Sequence, residues 1–444
     1  MLKMNKKSAA YYRYKEEQAK GVFPYFGSDE IEQIAYDLLD DQLAYEAMYV
    51  LDEGLMIHRG NETLTKLKIM LLIHFQRIDE ARELFLPYKD DGTPSTETLF
   101  YAFEVVDGRS RSTLRHMLTR VRRKETDPID FVNFIDEMWG EIPDYVKYDY
   151  LNQAVKDISD NAEALSRIGA MLMDVQMYRQ AMTALDKSLD IDAYNIFTWQ
   201  DLARCAFETY DIEKCKEACE FGLAIDPENP LLHFIKGVIL LSDEGKYKEA
   251  LDSLLVCRSF FEGEMQHNDI VVPKTMVASQ ISMTYEMIGK CYAELNMVDK
   301  AIESYEKYLA REPENHEVIF ELAQCYLEKG DLPQALDVVN RAIKLKRRST
   351  PYLALKVSIL ATMNRFEEAM EMLDKIIKIK PKAHRFVLAK AELAIGIQNV
   401  EIADQEFRKL LSMKPTDQST IDLMREYFES IGDKDALKQI ETLL

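Results

Sequence analysis

Residues 282–315 read SMTYEMIGKCYAELNMVDKAIESYEKYLAREPEN, and residues 316–349 read HEVIFELAQCYLEKGDLPQALDVVNRAIKLKRRS. Set one above the other, these 34-residue stretches place Tyr285 over Ile319, Ile288 over Leu322, Gly289 over Ala323, Ala301 over Ala335 and Tyr305 over Val339. The same register is present upstream. From Ala162 it gives Leu165, Ile168, Gly169 and Leu172, then Ala181, Leu185 and Ser188; from Ile196 it gives Trp199, Leu202, Ala203 and Ala206, then Cys215, Cys219, Gly222 and Pro227. A fixed period of this length implies stacked helical hairpins rather than one globular core.

Each place in the period has a physical duty. The first four apolar places share one face of a helix A, the next three share one face of a helix B, and neither stripe can be buried by its own helix. A small residue at the eighth place lets the two helices approach closely, and Gly169, Ala203, Gly237, Gly289, Ala323 and Ala391 occupy it. Proline at the thirty-second place (Pro227, Pro313, Pro381, Pro415) stops helix B before the next turn.

The set Tyr285, Ile288, Gly289, Tyr292, Ala301, Tyr305, Tyr308 and Pro313 resembles the tetratricopeptide repeat (TPR) family. Units in this register begin at Ser28, Glu62, Ala162, Ile196, Pro230, Ser282, His316, Thr350 and His384, with a partial one from Gln418. Units near Thr96 and Ile129 are degenerate: Leu114, Leu118 and Val121 keep a helical stripe, but the small residues are missing. The resemblance implies an all-α right-handed α-solenoid, a superhelix of about eleven hairpins plus a C-terminal capping pair. The expected division is an N-terminal arm or cap (1–27), partly degenerate repeats (28–161), central repeats (162–264), an insertion (265–281), C-terminal repeats (282–417) and capping helices (418–444).

Composition agrees with a chain that folds throughout, with 47% apolar and 30% charged residues. No apolar stretch long enough for a signal peptide or a membrane span is present, since Lys3, Lys6, Lys7, Arg13 and Lys15 interrupt the start. Three of the six cysteines, Cys205, Cys291 and Cys325, share the tenth place and read as small core residues in a reducing compartment. A cytoplasmic location is expected. The net charge of −21 disfavours general binding to phosphate backbones.

Two segments break the repeat. Residues 1–27 carry Tyr11, Tyr12 and Tyr14 among cations, then Phe23, Pro24, Tyr25 and Phe26, and serve either as a docking arm or as a cover for the first hairpin. Between the units at Pro230 and Ser282 lie 18 residues more than one repeat, mostly in 259–280. This insertion either packs back on the repeats or shapes their groove. A lengthened helix B, a loop and an early start of the next helix A near Thr275 are expected.

TPR resemblance places partner binding on helix A, at the second, fifth, ninth and twelfth places of a concave groove. These are Phe197, Gln200, Arg204 and Phe207; then Leu231, Phe234, Val238 and Leu241; then Glu317, Phe320, Gln324 and Leu327. Their apolar content suits a partner helix or an extended segment; ordinary packing between hairpins is the competing explanation. The lysine and asparagine clamp that one TPR subclass uses for chaperone tails is missing: Lys66 stands at a fifth place, but Met70 occupies the ninth.

A second candidate is a basic stretch, Arg109 to Lys124, in which Arg115, Arg120, Arg122 and Arg123 stand without an acid among them and would suit RNA or a phosphorylated or acidic ligand. A smaller basic cluster spans Arg341 to Arg348. Catalytic signatures are absent: no glycine-rich phosphate loop, no His-Glu-x-x-His and no Gly-x-Ser-x-Gly. Cys215 and Cys219, spaced i, i+4, lack the further ligands that a metal needs. The expectation is a non-enzymatic scaffold or adaptor with a protein or peptide partner and no metal or cofactor. Neither a membrane nor nucleic acid is the expected partner, and the oligomeric state stays open.

Overall fold

The structure is a computed structural model that describes residues 7–21, 23–90, 92–242, 245–263 and 274–441. Its described secondary structure is entirely helical. The chain divides into two compact units: residues 1–236 with 266–274, and residues 237–265 with 275–444. The division falls inside the helix Pro230–Ser242.

In the first unit the A helices are Ser28–Asp40, Glu62–His74, Pro94–Glu104, Pro128–Glu137, Ala162–Asp174 and Ile196–Glu208. The B helices between and after them are Ala44–Ile57, Ile78–Phe85, Ser110–Arg122, Asp144–Asp157, Tyr178–Ile191 and Ile212–Ile225. In the second unit Lys274–Glu294, His316–Lys329, Thr350–Thr362, His384–Gly396 and Gln418–Ile431 alternate with Val298–Leu309, Leu332–Leu345, Phe366–Ile379, Val400–Met413 and Lys434–Glu441. Most helices adjacent in sequence pack on one another, and successive A helices also touch, as Ala162–Asp174 does Ile196–Glu208 and His316–Lys329 does Thr350–Thr362. Each unit is by itself a stack of antiparallel hairpins, the α-solenoid architecture.

The small eighth place is a steric necessity. A Cβ on Gly169 would lie 2.5 Å from Leu185 Cδ2, and one on Gly289 would lie 2.5 Å from Tyr305 Cε1. Within a hairpin the chain reverses through one left-handed residue at the fifteenth place: Gln42, Gln76, Gln176, Tyr210, Asn296, Gly330, Asn364, Gln398 and Gly432, with φ between 56° and 83°. The following amide bonds back across the turn, as Met177 N–H does to the Leu172 carbonyl at 2.8 Å. Asparagine side chains cap helices at Asn61, Asn161, Asn195 and Asn315.

At the N-terminus a helix, Ala9–Gln18, lies on the first hairpin. Ser8 donates from N–H and Oγ to Asp37 Oδ2 at 3.0 and 2.6 Å, Tyr11 OH donates to Asp41, and Tyr14 OH and Lys15 Nζ donate to Glu46 at 3.1 and 2.9 Å. Tyr14 and Phe26 are buried. Most of the insertion lies outside the described residues. The helix before the insertion ends at Phe261 and the next begins at Lys274, ahead of the Ser282 register.

Candidate functional site on the A helices

Places three and four of an A helix point into the stack and places two, five, nine and twelve point away from it, a consequence of 3.6-residue periodicity. In Ile196–Glu208 this gives buried Thr198 and Trp199 beside Phe197, which is 39% exposed. Gln200 and Phe207 are half-buried and Arg204 is exposed. Ser166 and Thr198 share a 3.0 Å hydrogen bond between successive A helices, which fixes their spacing. The Gln200 amide nitrogen is buried without a protein partner. Burial raises the carboxyl of neighbouring Asp201 above its ordinary range, against the pull of Arg204.

On Pro230–Ser242, Phe234 is only 9% exposed, whereas Leu231, Val238 and Leu241 are half-buried. In the second unit Phe320 and Gln324 are half-buried, Glu317 is exposed, and the Phe320 ring lies 4.8 Å from that of Tyr352. Tyr352 OH meets His316 Nδ1 at 2.8 Å. The aromatic side chains at these places thus form two kinds: those closed off by the stack, such as Phe234, and those with an open face, such as Phe197 and Phe320.

The basic stretch reads differently in three dimensions. Arg120 is bound to Glu97 and to Tyr101 OH, Arg122 to Asp157 at 2.8 Å, and Lys124 to Asp160 at 2.8 Å, while Arg123 lies 3.9 Å from Glu125. Among these cations Arg115 is exposed and, among the described residues, forms no ion pair. The Arg120 guanidinium holds the Glu97 carboxyl below its usual range. The stretch is locally basic in sequence, yet carboxylates reach it from flanking helices at Glu97 and Asp157 and from nearby loops at Glu125 and Asp160.

One polar cleft escaped the sequence reading. Lys66, Glu97, Tyr101, Arg120, Asp130, Asn133 and Glu137 line a space of about 240 Å3 in the first unit. Lys66, Asp130, Asn133 and Glu137 sit at fifth, second, fifth and ninth places, so the degenerate repeats keep a polar version of the same outward face. The signal was the register itself, extended through units that lack small residues.

All six cysteines are buried and unbridged. Burial pushes the Cys291 thiol up to about 11 and those of Cys205, Cys257 and Cys325 up to about 12, so they stay protonated at neutral pH. Cys215 and Cys219 donate to the carbonyls of Ala203 and Leu232 at 3.3 and 3.9 Å. Among the described residues, no group of three or more His, Cys, Asp or Glu is placed to hold a metal ion. Nor is any described helix long and apolar enough to cross a membrane.

These features define a helical-hairpin repeat protein with outward-facing A-helix surfaces. Residues 292–359 and 350–382 each match a family model described as tetratricopeptide repeat, so this part of the chain is built of TPR units. It is 22% identical over 200 residues to the TPR repeat-containing protein YpiA of Bacillus subtilis (strain 168), a match covering 43% of each, so it spans less than half the length of that relative. Among solved structures, it resembles the C-terminal part of a TPR repeat-containing protein from Cytophaga hutchinsonii at 16% identity and TM-score 0.45, covering 58% of this chain and 98% of that one. It also resembles pilF of Pseudomonas aeruginosa at 19% identity and TM-score 0.39, covering 52% and 97%, and YrrB, described as a TPR protein with an unusual peptide-binding site, at 17% identity and TM-score 0.30, covering 54% and 97%.

Proposed function

We propose that this chain is a non-enzymatic scaffold that holds an extended or helical segment of a protein partner against the outward faces of its A helices. The observation that carries this reading is an outward A-helix aromatic in each unit taken by itself: exposed Phe197 with Arg204 in the first, and half-buried Phe320 with Gln324 in the second, the polar neighbours able to orient a bound backbone. Apolar anchors rimmed by polar groups are the usual composition of a peptide-binding surface. A cytoplasmic site of action fits the six unbridged cysteines. The reading through Arg115, Arg120, Arg122 and Arg123 has less support, since three of those four have a carboxylate nearby.

The test is selection of peptides from a displayed random library on the intact chain, followed by titration of the best binder. Phe197→Ser or Phe320→Ser should weaken binding about tenfold, equivalent to ~1.4 kcal/mol, with helix content unchanged. Phe234 is a poor choice, because polar substitution there strikes buried packing. Unchanged affinity in both variants, or no selectable peptide at all, would overturn the proposal.

A further inference from the structure

One place in the repeat changes the sign of its charge along the chain. The thirty-first place, just past the end of helix B, holds Asp192, Asp226 and Glu312 in the units from Ala162, Ile196 and Ser282, then Lys346, Lys380 and Lys414 in the units from His316, Thr350 and His384. Its neighbours follow. The twenty-ninth place is Asp190 in the first of these units but Lys344 and Lys378 later; the thirty-third is Glu228 and Glu314 early but Arg348 and Lys382 later. Between them the thirtieth place is aliphatic in four of these six units, with Ile191 43%, Leu345 44% and Ile379 36% exposed, while the unit from Ser282 has Arg311 and that from His384 has Met413.

Helix electrostatics do not explain the switch. Cations are favoured at every helix C-terminus, yet three repeats place carboxylates there and three place ammonium groups at the same backbone position. Nor are the cations consumed internally. Lys344, Lys346, Arg347, Arg348, Lys378, Lys380, Lys382 and Lys414 are exposed or nearly so and, among the described residues, form no ion pair, unlike the cations of 109–124. From Val338 to Phe366 the chain has no acid at all, within a protein of net charge −21.

We infer that this basic edge, on the second unit, docks the acidic edge 190–228 of a second copy of the chain. Three observations favour that occupant. The two edges carry opposite charge at the thirty-first place of the same 34-residue period, Asp192 and Asp226 against Lys346 and Lys380, so their spacing of one hairpin matches, and Asp190 and Glu228 add acids at places where the basic edge has Lys344, Lys378, Arg348 and Lys382. Both present an aliphatic side chain between the charges, so contact buries apolar surface as well as pairing ions. The basic edge has no exposed aromatic at these places for stacking bases, which a single-stranded nucleic acid partner would use. Individual exposed ion pairs contribute little, and it is the ladder of several that makes an edge selective. This surface is separate from the A-helix faces, and the inference stands or falls independently of the peptide-binding proposal.

The experiment is sedimentation velocity on the full chain over a wide concentration range, at low salt and at high salt. Wild type should sediment as more than one chain as concentration rises, and as one chain at high salt, where the screening length shrinks to about 3 Å at 1 M. The variant Lys346→Glu/Lys380→Glu/Lys382→Glu should remain single at every concentration. So should Asp190→Lys/Asp192→Lys/Glu228→Lys. Mixing the two should restore association, since each then supplies the charge the other needs. These positions are exposed and each already accepts the opposite charge in another repeat, so both variants should keep their helix content by circular dichroism. A wild type that stays single at low salt, basic-edge variants that still associate, or a mixture that fails to associate would each overturn the inference. Binding of the wild type to anionic phospholipid vesicles or RNA, lost on the same lysine changes and without self-association, would assign the edge to that partner instead.

Discussion

At the scale of single residues, the repeat is enforced by sterics that the sequence announces at some places and conceals at others. Gly289 faces Tyr305, a side chain 1% exposed with no room to swing, and an added Cβ would lie 2.5 Å from its ring. Gly396 ends its helix with nothing within 4 Å of the corresponding position. The same substitution should therefore have opposite signs. Gly289→Ala should lose about 1 to 2 kcal/mol in urea denaturation, overpacking outweighing the gain in helix propensity, while Gly396→Ala should gain about 0.5 kcal/mol. Equal effects would remove the steric reading of the eighth place. That place was legible because glycine or alanine fills it in most units, Ile69 and Val357 being large exceptions. The left-handed fifteenth place was not, because the turn constrains the backbone while Gln, Tyr, Asn and Gly all occupy it; an exposed side chain leaves no residue signature.

At the scale of elements, the N-terminal helix is the part whose role the sequence left open between arm and cover. Its bonds are to the first hairpin: Ser8 to Asp37, Tyr11 to Asp41, Tyr14 and Lys15 to Glu46. The hydrogen bond from Tyr11, aided by Lys7, holds the Asp41 carboxyl below its usual range. A depressed carboxyl contributes stability that is present above its unfolded pKa and is lost as pH falls through the folded value. Hydrogen exchange, corrected for intrinsic rates, should therefore show residues 9–18 protected at pH 7 and deprotected as the pH falls below the ordinary aspartate range, ahead of the hairpins behind them. Asp41→Asn should reproduce part of that loss at neutral pH. Protection of 9–18 that is indifferent to both would mean that burial of Tyr14 and Phe26 alone secures the helix. The units near Thr96 and Ile129 show the converse case. Without their small residues these units still form the helix pairs Pro94–Glu104 with Ser110–Arg122 and Pro128–Glu137 with Asp144–Asp157, the first turning at a left-handed Gly108.

For the whole molecule, the helix starts were readable from one short motif because each hairpin solves the same packing problem. Ser28, Glu62, Ala162, Ile196, Pro230, His316, Thr350, His384 and Gln418 each begin an A helix, and the exception, Lys274, follows the insertion. Functional surface was less legible. Whether an outward aromatic such as Phe234 or Phe197 is covered depends on the neighbouring hairpin, and the ion pairs of Arg120 and Arg122 depend on carboxylates from flanking helices at 97 and 157. Sequence distance carries no record of those approaches. Throughout, stability is taken to come from neighbours, since one hairpin cannot bury both of its stripes. The most direct measurement is circular dichroism with thermal unfolding on the single repeat 316–349 and on the run 282–417. The single repeat should be largely unfolded and the run should be helical with a cooperative transition; a single repeat that folds cooperatively on its own would contradict the account.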